Sequence, residues 1–228
     1  MQKKHCILAS NKPWHAGMVE RLREKTGHSF IFVGSPDELI RELAVEVVDY
    51  IFFPHWSWII PEEVWGRHEC VIFHMTDLPY GRGGSPLQNL IVRGKKETKI
   101  SALKCSAGLD EGDIYCKVPL ALHGTAEEIF KKMVPLIEDM IISILTNNII
   151  PSPQVGVPIY FKRRTPEDGC INHLERIEDV YDYIRMLDAE TYPNAFVEID
   201  NLVLSFTDAR LEKDEVIARV KIKKREAQ

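Results

Sequence analysis

A histidine, His74, closes the apolar run Cys70–His74, and the stretch that follows it, Thr76–Ser85, is rich in glycine and proline. In an open α/β sheet, ligands collect beyond the carboxyl ends of the strands. An imidazole placed there can take or return a proton near neutral pH, the work of a general base. A hydrogen-bonded structural histidine is the competing reading, and position alone does not separate the two. A carboxylate, Asp110, lies in the turn Gly108-Leu109-Asp110-Glu111-Gly112-Asp113. A carboxylate set against an imidazole orients the ring, fixes its tautomer and stabilises its protonated form. Alone, such a turn reads more simply as a solvated hairpin loop. His55-Trp56-Ser57-Trp58-Ile59-Ile60-Pro61 puts two tryptophans after a buried run without helical spacing. Aromatic walls suit a flat heterocycle. A loop folded over its own tryptophans has the same composition.

These groups need a scaffold, and the first half of the chain alternates strand and helix signals. His5–Ser10, Phe30–Val33, Val47–Phe53 and Cys70–His74 are short apolar runs. Between them the pattern predicts a helix over Pro13–Thr26, stopped by Gly27, and a short one opened by the Ser35-Pro36-Asp37-Glu38 capping box. Buried parallel strands with helices on both faces give this alternation. Thr76–Ser85 reads as a loop, Pro86–Arg93 as a helix, and Lys99–Cys105 with Asp113–Leu120 as an antiparallel pair. Thr125 and Glu128 open a long helix to about Leu145, with Pro135 expected to kink it. Ile150–Pro158, carrying three prolines and a glycine, reads as a connector. Beyond it lie a helix over Ile177–Leu187 and strands over Ala195–Phe206 and Val216–Ile222. The expectation is one α/β domain over 1–150 and a small mixed extension over 151–228.

Taken together, these segments resemble the folate-dependent formyltransferases. His74-Met75-Thr76-Asp77-Leu78-Pro79-Tyr80-Gly81-Arg82-Gly83-Gly84-Ser85-Pro86-Leu87-Gln88 is similar to that family's signature, in which a histidine leads through Leu-Pro to an Arg-Gly turn and a helix start. Leu109-Asp110-Glu111-Gly112-Asp113 matches its Leu-Asp-x-Gly-Asp, and Ile59-Ile60-Pro61 resembles the marker after the third core strand. Arg163–Ile171, Ile184–Leu187 and Tyr192-Pro193 resemble the segment that follows the catalytic domain in methionyl-tRNA and sugar formyltransferases.

The resemblance implies a Rossmann-like, mostly parallel sheet, 10-formyltetrahydrofolate as donor, and a primary amine as acceptor. It makes His74 the catalytic histidine and Asp110 its partner. It places the pterin between Trp58, Ile59 and Ile60 on one side and Cys105, Ser106, Gly108, Leu109 and Asp110 on the other. Ser10, Asn11, Lys12 and Trp14 of the first loop, with Arg82 and Gly83, become the substrate contacts. One departure stands out. The family's Asn-x-His is Ile72-Phe73-His74 here, so the amide that stabilises the formyl oxygen is missing, and Asn89 or Ser57 is the candidate replacement. The wording around His74 is similar to a branch that formylates amino sugars of surface polysaccharides, including the pseudaminic acid route. An amino sugar, nucleotide-linked or an intermediate of nonulosonic acid synthesis, is therefore the expected acceptor. The alternatives are a methionyl-tRNA formyltransferase-like enzyme and a folate- or sugar-binding relative without catalysis.

Bulk properties narrow the field. The chain has 228 residues, 45% hydrophobic and 28% charged, with a formal net charge of −5. That sign weighs against a nucleic-acid partner, as does the lack of room for a large RNA-binding domain. The five cysteines show no zinc-site spacing, so no metal is expected, and reduced thiols fit a cytoplasmic protein. No signal peptide or membrane span is expected. The loop Ala9-Ser10-Asn11-Lys12-Pro13 has no GxGxxG, which argues against a nicotinamide enzyme. The strand-like tail with its basic end, Lys221–Arg225, suggests a homodimer contact.

Overall fold

The computed structural model describes residues 2–190 and 192–225. In chain order it runs β1 (His5–Ser10), α1 (Met18–Thr26), β2 (Ser29–Val33), α2 (Pro36–Val45), β3 (Tyr50–His55), α3 (Glu62–Trp65), β4 (Glu69–His74), β5 (Tyr80–Gly83), α4 (Pro86–Val92), β6 (Glu97–Lys104), β7 (Ile114–Ala121), α5 (Ala126–Asn147), β8 (Ile159–Phe161), α6 (Ile177–Leu187), β9 (Ala195–Ile199), β10 (Leu202–Leu211) and β11 (Val216–Lys224). Six strands make the central sheet in the order β2-β1-β3-β4-β6-β7. β1 pairs parallel to β2 and β3, and β3 parallel to β4, while β6 runs antiparallel to β4. Cys6–Ala9 and Ile51–Phe53 are buried throughout, which is why these strands read as continuous apolar runs instead of alternating ones. Among the described residues, no helix is long and apolar enough to cross a membrane.

Local chemistry explains most boundaries. Ser35 accepts a hydrogen bond from the Glu38 amide and starts α2, with Pro36 at its first position. Gly27, at φ +71°, ends α1. The helix expected over Pro13–Thr26 is instead a 3-10 turn, Pro13–His15, followed by α1 from Met18, with Gly17 at the break. The strand expected over Ala195–Phe206 is two strands, because the chain reverses at Asp200, whose φ is +50°. α5 continues through Pro135. The expected loop Thr76–Ser85 contains β5, which pairs with β8 at the end of the expected connector. A Cβ on Gly83, at φ +106°, would stand 2.5 Å from the Phe161 carbonyl oxygen, so this close approach requires glycine.

The chain forms two compact units. One holds residues up to Arg82, Lys99–Leu120 and Met133–Tyr160; the other holds Gly83–Thr98, Ala121–Lys132 and the chain from Phe161 on. The grouping is interleaved along the chain. In the second unit α4 packs on α6, and α6 on β10. Arg185, almost fully buried, joins α6 to the segment after β7 by donating to the carbonyls of Leu122 (2.7 Å) and Gly124 (3.0 Å). Asp182 neutralises it at 2.6 Å. β9, β10 and β11 form an antiparallel sheet.

In the first unit, Glu138 of α5 is buried and meets Arg21 and Lys25 of α1, each at 2.7 Å. Burial pushes the Glu138 carboxyl up, but hydrogen bonds from Lys25 and Arg21 outweigh it and hold the group below its ordinary 4.5. The stability it contributes is therefore present above that value and lost as pH falls through the depressed one. Both cations reach solvent, so the brace is weaker than a fully buried pair. Glu138→Gln is expected to lower unfolding free energy by about 1–2 kcal/mol at neutral pH in urea melts. An unchanged midpoint would show that the brace contributes nothing.

Candidate active site

His74, the last residue of β4, lies opposite Ser101 of β6. Its Nε2 stands 2.8 Å from the carbonyl oxygen of Gly81. A carbonyl only accepts, so this contact puts the neutral ring's hydrogen on Nε2 and leaves Nδ1 with its lone pair. Thr76 Oγ1 donates to the same carbonyl at 3.3 Å. Ser101 Oγ donates to the Thr76 carbonyl (2.7 Å) and accepts from the Leu78 amide (3.4 Å). The loop after β4 is thus bolted to β6, and it holds the ring that precedes it.

His74 Nδ1 faces Asp110 Oδ2 at 3.6 Å, with the two side chains 9% and 10% exposed. That gap exceeds a hydrogen bond. A proton arriving at Nδ1 would sit beside a carboxylate, an attraction of about 4 kcal/mol at an effective dielectric of about 20. The arrangement can take a proton at Nδ1 and hold the resulting cation. Tautomer control, which the sequence suggested for Asp110, falls to Gly81 in this geometry.

Asp110 is held at φ +53°, the left-handed region that a residue with a side chain enters at a cost. A Cβ on Gly112 would stand 1.7 Å from the Lys104 carbonyl oxygen, so the loop lies directly on the end of β6. Cys105 donates its amide to Cys70 at 2.8 Å, so that amide is engaged within the sheet. Burial, then the nearby charge of Asp110, pushes the Cys105 thiol up to about 11, which keeps it protonated. Ile60 and Cys105 belong to one apolar cluster, with Ile72 and Trp56 packed against it. Trp58 lies edge-on to Trp56, ring centres 4.9 Å apart. Ile59 points to solvent at 93% exposure, as Leu109 largely does, so neither side chain belongs to that cluster. Ser106 and Gly108 lie in the loop between β6 and Asp110.

In the first loop Ser10 and Lys12 are buried, while Asn11 and Trp14 are half-buried. Ser10 is fully buried, and its hydroxyl oxygen contacts His15 Nδ1 (2.7 Å) and accepts from the Lys12 amide (3.1 Å). The Lys12 ammonium lies over the Trp14 ring at 5.5 Å. Asn11 donates its amide to Ser57 Oγ at 2.9 Å. Trp14 Nε1 and Asn11 Oδ1 are buried, and the structure gives them no hydrogen bond among the described residues. Burial, then the charge of Lys12, lowers His15 to about 4; the same two causes, with His15 itself, lower His55 to about 3.

Two expected contacts have other duties. The Arg82 guanidinium, expected at the substrate, donates to Gln154 Oε1 (2.9 and 3.2 Å), Glu111 Oε1 (2.9 Å) and Tyr160 Oη (3.1 Å). Asn89, expected as a donor to the formyl oxygen, gives its amide to the carbonyls of Gly84, Ser85 and Lys162 at 2.9–3.0 Å. It secures the start of α4. Gly83 serves the approach to Phe161. Thr76, Ser101, Gly81 and Gln154 were not among the expected site residues. Thr76 and Gly81 stand inside the motif that begins at His74 and were within reach of sequence reasoning; Ser101 and Gln154 carried no local signal.

Gly112→Ala is expected to displace the Asp110 loop and to abolish turnover while the sheet persists, which activity and circular dichroism read separately. Full activity in that variant would mean the loop tolerates movement. His15 gives a pH test. Its folded value near 4 lies below its ordinary 6.5, so the unfolded chain binds the extra proton as pH falls between them. Stability must drop over that window by at most about 1.4 kcal/mol per pH unit for this group. In His15→Gln the acid-side slope of unfolding free energy should flatten; an unchanged slope would place the titration elsewhere.

Residues 22–144 match the formyl transferase family, and residues 166–223 match the C-terminal domain described as that of methionyl-tRNA formyltransferase. A methionyl-tRNA formyltransferase from Rickettsia africae (strain ESF-5) is 29% identical over 76% of this chain and 59% of its own. The chain thus spans about six-tenths of the length of such curated relatives. A solved structure of methionyl-tRNA formyltransferase from Clostridium thermocellum superposes with a TM-score of 0.93 at 44% identity, covering 97% of this chain and 99% of that one. A sugar N-formyltransferase from Shewanella sp. shares the fold, with a TM-score of 0.71 at 15% identity over 92% of this chain and 99% of that one. With a match across more than half its length and a near-complete structural counterpart, the chain belongs to the formyl transferase family.

Proposed function

We propose that this chain transfers a formyl group from 10-formyltetrahydrofolate to a primary amine. The observation that carries the proposal is His74 Nδ1 facing Asp110 Oδ2 at 3.6 Å with its tautomer set from the other side by Gly81. The apolar cluster that holds Ile60 and Cys105, with Ile72 and Trp56 packed against it, belongs to the segments where the resemblance puts the pterin, which supports a flat heterocycle there. The folate supplies an activated formyl carbon when bound. His74 Nδ1 takes the proton that the attacking amine gives up, Asp110 holds the resulting imidazolium, and the imidazolium returns that proton to the folate nitrogen as its bond to the formyl carbon breaks. Ile72 offers no donor to the formyl oxygen and the Asn89 amide is engaged. Ser57, whose oxygen accepts from Asn11, keeps a hydroxyl hydrogen for that role.

The α-amine of methionyl-tRNA is the acceptor with the most support. The relatives named for that activity include a structural counterpart of equal length. In addition, Arg219–Arg225 holds five cations and no acid, a stretch suited to a phosphate backbone. An amino sugar is the second reading, favoured by the net charge of −5, since a small amine needs no basic surface. Incubation with 10-formyltetrahydrofolate and either methionyl-tRNA or a panel of amino sugars, followed by mass spectrometry, separates the two by which product gains a carbonyl. His74→Ala and Asp110→Ala are each expected to lower kcat/KM by on the order of 10²–10⁴ with the fold intact. Normal turnover in either variant would remove the site assignment.

A further inference from the structure

We infer that Gln154 is a positioning residue for this reaction, locking the loop that carries Asp110 to β5, which carries the Gly81 carbonyl, with Arg82 as its backing. The inference rests on the reading that Asp110 works with His74. β6 leaves the sheet at Lys104, opposite Val71, whereas His74 lies opposite Ser101. Three residues of strand are about 10 Å. The Asp110 loop therefore has to turn back along β4 to reach the imidazole, and it does so with Asp110 at φ +53°. A conformation of that kind persists only where its surroundings over-determine it.

Gln154 provides the determination. Its Nε2 donates to the carbonyls of Asp110 (2.8 Å) and Gly112 (2.9 Å). Its Oε1 accepts from Arg82 Nε and Nη2 at 3.2 and 2.9 Å. Arg82 Nη1 also reaches Glu111 Oε1, which takes a second hydrogen bond from Tyr160 Oη at 2.7 Å. The same short segment is anchored at both ends. Ser152 exchanges backbone hydrogen bonds with Ile114 (2.8 and 3.0 Å), and the Ile159 amide donates to the Pro79 carbonyl (3.1 Å). The stretch 152–159 thus touches the Asp110 loop and the loop after His74 at once. Only an uncharged amide suits the central position, because two carbonyls need donors and a guanidinium needs an acceptor. Arg82, 12% exposed and hydrogen-bonded to three side chains, supports the site from behind.

The test uses Gln154→Met, Gln154→Glu, Asp110→Asn and the Asp110→Asn/Gln154→Met double variant, with formyl transfer and amide hydrogen exchange as readouts. Gln154→Met should lower kcat about 10–100-fold and leave KM for the folate within about two-fold, as misplacement by about an ångström does. Exchange across 106–112 should quicken while the sheet stays protected. Gln154→Glu, which turns an oxygen toward two carbonyls, should cost more than Gln154→Met. In the Asp110→Asn background, Gln154→Met should change kcat by less than about two-fold, because the group it positions is already lost. Wild-type kcat and exchange in Gln154→Met, or full additivity in the double variant, would overturn the inference. Normal turnover in Asp110→Asn would instead defeat the catalytic reading, and the exchange data would still decide whether Gln154 holds the loop.

Discussion

The antiparallel pairing of β6 against β4 sets the constraint on which the site depends. Parallel neighbours deliver their carboxyl ends to the same edge of a sheet, where ligands gather. An antiparallel neighbour does not, and Lys104 leaves this sheet opposite Val71 while His74 stands opposite Ser101. Asp110 meets the imidazole only because its loop folds back, takes a left-handed residue at its tip and lies on the Lys104 carbonyl at Gly112. Ser101 binds the other loop from the sheet side through the Thr76 carbonyl. The imidazole is thus held through hydrogen bonds from Ser101 and to Gly81, and the Asp110 loop by its left-handed tip and its close seat on the end of β6.

That division suits the proposed chemistry. A base that cycles between neutral and charged forms needs a fixed tautomer and a counter-charge, and the two come from opposite sides of the ring. Gly81 fixes Nε2, which leaves Nδ1 and Asp110 facing one another across 3.6 Å. Near the first loop the opposite electrostatics hold. His15 and His55 are driven down to about 4 and about 3 by burial and by Lys12, so they remain neutral around physiological pH. One histidine has a carboxylate to receive its charge, and the other two have a lysine that opposes it.

The distribution of signals along the chain explains what could be read early. The parallel strands were legible because burial on both faces makes them unbroken apolar runs, and α2 because Ser35 and Glu38 are four-residue chemistry. His74 and Asp110 were legible through motif wording, which records which residues a segment contains. It does not record what each residue touches. Arg82 stands in the motif as a free cation would, yet its guanidinium serves Gln154, Glu111 and Tyr160. Asn89 looked like a spare amide donor and is a brace for α4.

The sequence by itself determined the class of sheet and the order of its parallel strands, and it singled out His74 and Asp110 as the candidate base and carboxylate. Those follow from short-range patterns, where periodicity, caps and turn residues act within a few positions. Only the tertiary structure decided that β5 pairs with β8, that the second unit is drawn from three separate stretches, and that Gln154 of an apparent connector grips the Asp110 loop. Contacts across 40 to 80 positions leave no local trace, because nothing in either segment's own backbone energetics depends on the distant partner until the chain has closed.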